Sequence, residues 1–443
     1  MAGIFKAYDI RGIYGKTLSD DLAFRIGRAF ATFLGCRKVV VGRDMRTHSK
    51  PLFDALTRGL TMQGANVIDV GLCSTPMSYY ANGSLGADAS IMITASHNPG
   101  EWNGFKLCRA QAVPISGLTG IADIERLANG NAFAPAAAQP GRVTAYDIVP
   151  AYVAHIRKSA GLKLPRPVHI AVDFANAMGI YEARVLEGLV DMTRLFDTLD
   201  GTFPNHEANP LKLETLATLC QTVKSGRFDF GVAFDGDADR AGFVDETGAV
   251  VPMDMIIALI ARSLLQRQKG VIYYDLRSSW TVKEVIAENG GTPMMSRVGH
   301  AFIKQQMRES NAIFAGELSG HYYFRANYFT ESSSLAVLYV ASIVTQSGQT
   351  LSQLIKPFQR YFASGEINSE VADPQAVLAQ LRATYTGGRA FELDGLSVEY
   401  TDWWFNVRCS NTEPLVRLNL EATTAAAMQR RRDEILAIIR KKR

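Results

Sequence analysis

Cysteine is scarce and scattered in this chain. The five thiols, Cys36, Cys73, Cys108, Cys220 and Cys409, include no Cys-x-x-Cys pair, so neither a zinc knuckle nor a redox pair is signalled. Their odd number fits free thiols in a reducing compartment. Long apolar runs are missing as well. The longest, such as "MIIALIARSLL", are too short to span a bilayer and fit buried helices. The opening "MAGIFKAYDIRG" has no apolar signal-peptide core. These absences predict a cytoplasmic protein with no membrane partner. A broad excess of one charge is lacking too. The net charge is +4, yet the closing "RRRDEILAIIRKKR" alone carries +5, which leaves −1 for everything before it. A nucleic-acid footprint would be a broader basic face, so none is expected. The cationic end reads as the solvated end of a helix, favourable to its dipole.

The chain has the length and composition of several packed cores. At about 150 residues per domain, 443 residues suggest three, and 47% hydrophobic with 20% charged residues is ordinary for a globular protein. Short β-branched runs alternate with stretches of helical spacing. "KVVVGRD" precedes the helical candidate "KPLFDALTRGLTMQG", and "ANVIDVG" and "ASIMITAS" follow. "VHIAVDFANA" precedes "GIYEARVLEGLV", and "GVIYYDLRSS" precedes "WTVKEVIAENG". This is the alternation of α/β domains with largely parallel sheets. Three units, beginning near Lys38, Val168 and Val271, share one plan of apolar strand, polar loop and helix. "ANGNAFAPAAAQPG" reads as a surface connection. The tail differs: "LSVEYTDWWFNVRCSNTEPLVRLNLEA" reads as two strands around a polar loop, with a helix from about Ala425. The predicted division is 1–149, 150–249, 250–364 and a smaller α+β domain at 365–443.

Five polar stretches stand out. In "FDGDADRAGFVDETG", Asp235, Asp237 and Asp239 occupy alternate positions, which in extended chain project to one side. Three such carboxylates repel one another without a cation, and an all-oxygen set suits Mg²⁺ or Ca²⁺. The spacing to Glu246 imitates an EF-hand loop. However, Arg240 stands where that loop needs glycine, and the flanks look like strands. A solvated acidic turn is the plain alternative, weakened because the carboxylates directly follow an apolar strand. In "RCSNTEPLVR", Arg408, Ser410, Asn411, Thr412 and Arg417 suit a phosphate, or form an ordinary hairpin loop. In "GELSGHYYF", Glu317 and Ser319 could hydrogen-bond a polyol, or simply border a glycine-rich turn. "YDIRG" sets Tyr8 near Arg11, which by itself suggests only a surface ion pair with Asp9. Finally, "TASHNPGEWNGFK" presents Ser96 on a turn after the apolar run "ASIMI".

Taken together, "YDIRG", "TASHNP", "NGFK", "DGDADR", "VGHAFIK", "GELSGH" and "RCSNTEP" stand in one order across residues 8 to 414. In this the chain resembles the α-D-phosphohexomutase superfamily, in its phosphomannomutase/phosphoglucomutase branch. The resemblance implies three related α/β domains with mixed sheets and a smaller C-terminal α+β domain around a central cleft. It implies that Ser96 is phosphorylated and that its phosphate, with Asp235, Asp237 and Asp239, holds one Mg²⁺ per chain. Arg240, His97, Lys106 and Arg11 would lie near the transfer. Lys106 and His321 are candidates for the general base. Tyr8, Arg277, His300, Glu317 and Ser319 would contact the sugar phosphate, and Arg408, Ser410, Asn411, Thr412 and Arg417 the phosphate that is not reacting.

The implied reaction moves the phosphoryl group from Ser96 to a hexose 1- or 6-phosphate of mannose, and of glucose as well. A hexose 1,6-bisphosphate forms, turns end for end in the cleft, and returns its other phosphate to Ser96. Small-molecule hexose phosphates are the expected partners, and a monomer or weak homo-oligomer the expected state. Alternatives are a Mg²⁺-dependent sugar-phosphate phosphatase, a phosphoglucosamine mutase, or a non-catalytic sugar-phosphate-binding protein. Phosphoglucosamine mutases usually carry Gly where Asn411 stands. Arg277 stands where some members carry Lys; both are cations of different geometry.

Overall fold

Four sheets order the chain, and the first three repeat one pattern. The computed structural model describes residues 3–409 and 415–441. In the first sheet, strand Lys38–Arg43 lies between parallel neighbours Asn66–Leu72 and Ala89–Ile93, and Trp102–Arg109 pairs antiparallel with Ala89–Ile93. In the second, His169–Asp173 lies between parallel Asp191–Leu195 and Phe230–Phe234, and Ala241–Asp245 runs antiparallel to the latter. In the third, Val271–Asp275 lies between parallel Thr292–Ser296 and Phe314–Gly316, and Tyr322–Phe324 runs antiparallel. The three units read from the sequence near Lys38, Val168 and Val271 therefore begin at equivalent central strands. In each, a short loop at the carboxyl end of the last parallel strand reverses the chain. These loops carry Ser96, the three aspartates, and Glu317 with Ser319. Open α/β sheets place ligands at such carboxyl ends.

The strands leading into the serine and aspartate loops, Ala89–Ile93 and Phe230–Phe234, are buried at every position, which is why their sequences are unbroken apolar runs rather than alternating ones. Helix Asp20–Leu34 starts at Ser19, whose side chain accepts from the Leu22 N–H, and ends at Gly35 in the left-handed conformation. It packs on Ser49–Met62 through glycines: a Cβ on Gly27 would meet Leu56 O at 2.2 Å, and one on Gly59 would meet Phe24 O at 2.2 Å.

Helix Ser333–Ser347 is buried on nearly every side, as expected of a helix apolar all round. It belongs to a core that runs through residues of all three repeated units, among them Met77, Tyr152, Phe174, Phe243 and Phe324. Behind it lies a polar seam. Buried Glu182 accepts from Ser74 Oγ at 2.5 Å and from Tyr152 Oη at 3.0 Å.

The fourth sheet is antiparallel, with helices Pro374–Thr384 and Ala425–Ile439 packed on a core including Leu381, Phe405, Leu418 and Ile435. The tail read as two strands holds three: Leu396–Glu399, Trp403–Cys409 and Leu415–Ala422. "EYTD" contains no glycine or proline to announce a turn. Among the described residues, no helix is long and apolar enough to cross a membrane.

Candidate active site

Ser96 sits at a φ of 53°, a left-handed conformation unusual for a residue with a Cβ. The structure supplies the restraint. Arg46, fully buried and paired with Asp44 at 3.1 Å, donates to Ser96 O at 2.8 Å, Asn98 O at 2.6 Å, Pro99 O at 2.6 Å and Trp102 O at 3.1 Å. Arg11 adds bonds to Ala95 O at 3.2 Å and Asn98 Oδ1 at 2.6 Å while keeping its ion pair with Asp9 at 2.7 Å. The pair "YDIRG" suggested is real, but Arg11 is a brace of the serine loop and no mere surface residue.

The aspartate loop is not extended, as alternate spacing had suggested. It turns, with Ala238 at a φ of 59°, and Gly236 presses on the serine loop so closely that a Cβ there would meet Ser96 O at 2.2 Å. The turn still gathers Asp235, Asp237 and Asp239, with oxygens within 4.8 Å of one another. It is held from both sides. Thr75 donates to Asp237 Oδ2 at 2.5 Å, and Ser333 Oγ donates to Ala238 O at 2.7 Å.

The two loops meet at Ser96 Oγ, which donates to Asp235 Oδ2 at 2.9 Å and stands 3.2 Å from His97 Nδ1. Lys106 Nζ reaches Asp237 Oδ2 at 2.6 Å and Asp239 Oδ2 at 2.5 Å. Arg240 Nε lies 3.8 Å from Asp235 Oδ2. Two carboxylates about 4 Å apart repel by about 4 kcal/mol at an effective dielectric of 20. Burial together with Asp239 and Asp237 accordingly pushes Asp235 up to about 8. Burial acts the same way on Asp239, but Lys106 and His321 overcome it and hold that group well below the ordinary range. Against burial, Asp237 and Asp239 raise Lys106. Burial, with Arg240 and Arg11, keeps His97 well below its ordinary value and neutral.

Asp237 Oδ1 is buried with no hydrogen-bond donor among the described residues. A free buried carboxylate oxygen within a three-carboxylate cluster fits a hard divalent cation such as Mg²⁺.

The loop carrying Glu317 and Ser319 adjoins this group. His321 Nε2 is 3.3 Å from Asp239 Oδ1, and its Nδ1 is 3.1 Å from Glu317 Oε2 and 2.8 Å from Ser319 Oγ. Burial opposes protonation of His321, but Asp239 and Glu317 win, and its pKa rises to about 9. Glu317 is pulled well below the ordinary carboxylate range by His321 and a bond from Tyr323 Oη, in spite of burial. Its Oε1 accepts from Gly299 N–H at 3.1 Å. Tyr8 packs on the same glycine, its Oη 3.3 Å from Val298 O. His300 is turned toward Lys304 Nζ at 3.5 Å and Glu331 Oε1 at 3.9 Å. Burial, with Lys304 and Lys106, keeps it neutral. Arg277 pairs with Asp275 at 2.7 Å, and Asp275 also accepts from Leu318 N–H at 2.8 Å.

One connected set of side chains thus joins Ser96, His97, Lys106, the aspartates, Arg240, Glu317, Ser319 and His321, with Arg11 bracing the serine loop beside it. Arg408 and Arg417 form a second set on the fourth sheet. Ser410, Asn411 and Thr412 lie outside the described residues. Sequence reading missed Arg46, Thr75 and the buried pair Lys304–Glu331 at 2.7 Å. "GRDMR" directly after a buried strand was a usable signal for Arg46. Thr75, in a helix start capped by Ser74, had none.

Family models for phosphoglucomutase/phosphomannomutase match this chain in four parts: α/β/α domain I at residues 2–134, domain II at 150–248, domain III at 252–361, and the C-terminal domain at 366–438. A phosphomannomutase of Escherichia coli is 40% identical, covering 98% of this chain and 99% of its own. A protein of Xanthomonas campestris named for phosphohexose mutases is 39% identical, covering 98% and 99%. The crystal structure of a phosphoglucomutase/phosphomannomutase family protein from Burkholderia thailandensis superposes with a TM-score of 0.91 at 34% identity, over 99% of this chain and 98% of that one.

Proposed function

The chain belongs to the phosphoglucomutase/phosphomannomutase family, and on that premise we propose that it interconverts hexose 1-phosphates and hexose 6-phosphates of mannose and glucose through a phosphoserine at Ser96. One observation carries the reading: the buried Ser96 hydroxyl donates to Asp235 at the edge of a three-carboxylate cluster. A hydroxyl placed so is of little use to the fold and is well placed to carry a phosphoryl group beside a cation.

Asp235, Asp237 and Asp239, with the phosphate on Ser96, would hold Mg²⁺, which when bound supplies electrostatic stabilisation of the transferring group. The phosphate adds roughly −1.5 to −2 charge near neutral pH, and Arg240 stands at the same carboxylates to offset it. Arg46 and Arg11 keep the serine turned toward the cleft, so little reorientation is needed at the moment of transfer. Neutral His97 faces Oγ as a dipole and adds no charge beside the phosphate. The proton leaves the accepting sugar hydroxyl and ends on Ser96 Oγ. His321 or Lys106, protonated at rest, gives a proton to Oγ as it is released and is recharged by the sugar hydroxyl's proton, and the reverse transfer runs the same relay backwards. Glu317 and Ser319, tied into the His321 network, face the sugar hydroxyls. A hexose 1,6-bisphosphate is the intermediate that turns round between the two transfers.

Intact-mass analysis of purified protein tests the reading. A phosphate adduct is expected on the wild type and absent from Ser96→Ala, whose turnover of mannose 1-phosphate should fall by at least about 10³-fold, an added barrier of about 4 kcal/mol. Near-normal turnover by Ser96→Ala would overturn it.

A further inference from the structure

The two arginines expected to grip a phosphate already grip a carboxylate. Glu366 lies between strands Phe362–Ala363 and Ile367–Glu370, where the chain enters the fourth sheet. Its Oε2 accepts from Arg408 Nη2 at 2.9 Å, and its Oε1 from Arg417 Nη1 at 3.3 Å. Asn419 Nδ2 stands 3.5 Å from Oε2. From the third sheet, Arg277 Nη1 reaches within 3.8 Å. Three guanidinium groups from two units thus share one carboxylate whose side chain is 25% exposed. Burial would raise its pKa, but Arg408, Arg277 and Arg417 hold it below the usual range, so the carboxylate is charged.

Among the described residues, the arginines are only partly used. The Nε–H groups of Arg408 and Arg417 are buried and have no acceptor among the described residues. Donors therefore remain for a second anion. The charges decide what that anion meets. Arg277 is already met by Asp275 at 2.7 Å, so the count falls on Arg408 and Arg417. Two guanidinium groups less one carboxylate leave one positive charge, against roughly −1.5 to −2 on a phosphate monoester. Glu366 thus balances half of the clamp's charge, and neutralising it doubles the positive charge the phosphate meets.

The proposed reaction needs that balance. The phosphate that is not reacting must be held during transfer and released for the bisphosphate to turn round. Binding that is too tight in this ground state slows the turn and gives nothing to the chemical step. We propose that Glu366 is a charge-balancing positioning residue of the phosphate clamp: it holds Arg408 and Arg417 in place in the empty cleft and weakens their grip enough for the bound sugar bisphosphate to let go. This rests on reading Arg408 and Arg417 as that clamp.

The test measures inorganic phosphate binding by calorimetry in metal-free protein, alongside steady-state kinetics on mannose 1-phosphate. Glu366→Gln keeps size and an acceptor while losing the charge. It should bind phosphate about tenfold more tightly, with KM and kcat both lower. Glu366→Asp keeps the charge and should stay within about twofold of wild type. Unchanged or weaker phosphate binding by Glu366→Gln, or tightening by Glu366→Asp as well, overturns the proposal. Arg408→Gln separates the two levels. If it binds phosphate like wild type, the clamp reading fails and the inference with it. If it loses phosphate while Glu366→Gln gains nothing, only the charge balance fails.

Discussion

Single residues here do work that their neighbours make possible. Ser96 stays in a left-handed conformation costing of order 1–3 kcal/mol because Arg46 ties down four carbonyls around it. Replacing a guanidinium fork that reaches four acceptors is not conservative even with lysine. His321 yields a prediction with a sign. It titrates at about 9 between Asp239 and Glu317, against about 6.5 when unperturbed. The folded value is the higher one. The pair therefore contributes its full stability below about pH 6.5 and loses it as pH climbs through about 9. The shift amounts to at most about 3 kcal/mol. EDTA-treated wild type should lose more stability between pH 6.5 and 9.5 than EDTA-treated His321→Asn, read from urea midpoints at both pH values. Equal losses would show that the two carboxylates do not hold His321 charged.

Helices and strands were the more legible level. Capping at Ser19 and Gly35, and the buried strand "ASIMI", stand where sequence rules place them. Local rules failed where contact, not propensity, decided. Glycine inside a helix is unfavourable by about 1 kcal/mol against alanine, so helix Ser49–Met62 would be expected to gain from Gly59→Ala. The structure reverses this, because the added Cβ would lie 2.2 Å from Phe24 O on the crossing helix. Backbone cannot rotate aside as a side chain can. Gly59→Ala should destabilise by about 1–3 kcal/mol, the ordinary cost of overpacking, measured as a lower urea midpoint at unchanged slope. A raised midpoint would mean the helices separate freely. Spacing misled in the same way at the aspartate loop: alternate positions did bring the carboxylates together, but through a turn packed on Ser96 O, not through an extended strand.

The molecule as a whole decides which sugars fit. Three equivalent loops from three repeated sheets carry the serine, the aspartates, and Glu317 with Ser319; under the proposed function they must accept a flipped bisphosphate in both orientations. Such a site disfavours contacts tied to one hydroxyl. Mannose and glucose phosphates differ only at C2, and no residue identified here reads C2. Their kcat/KM values should lie within roughly a hundredfold, about 2.7 kcal/mol. Galactose 1-phosphate inverts C4 and leaves Glu317 or Ser319 unpaired. A site built to bond a hydroxyl can reject such a mismatch by up to about 10⁴–10⁵. It should be the poorest of the three, with Glu317→Gln narrowing the gap in a coupled assay. Galactose turnover equal to glucose turnover would remove "GELSGH" as the sugar-reading loop.

The sequence alone determined the alternation of strands and helices, the repeat of three units, and the residue types at Ser96, the aspartates, Glu317 and Arg408. All are local properties, written in apolar periodicity and in short motifs. It did not determine charge states or supports. Lys106 and His321 were equal candidates for moving a proton. Only the tertiary structure shows both locked to carboxylates and cationic. Thr75 and Glu366 were silent, and the signal at Arg46 did not say what it holds, because each acts on residues dozens to hundreds of positions away, or across a turn between strands. A pKa depends on burial and on charges gathered from distant segments, and no window along the chain contains them.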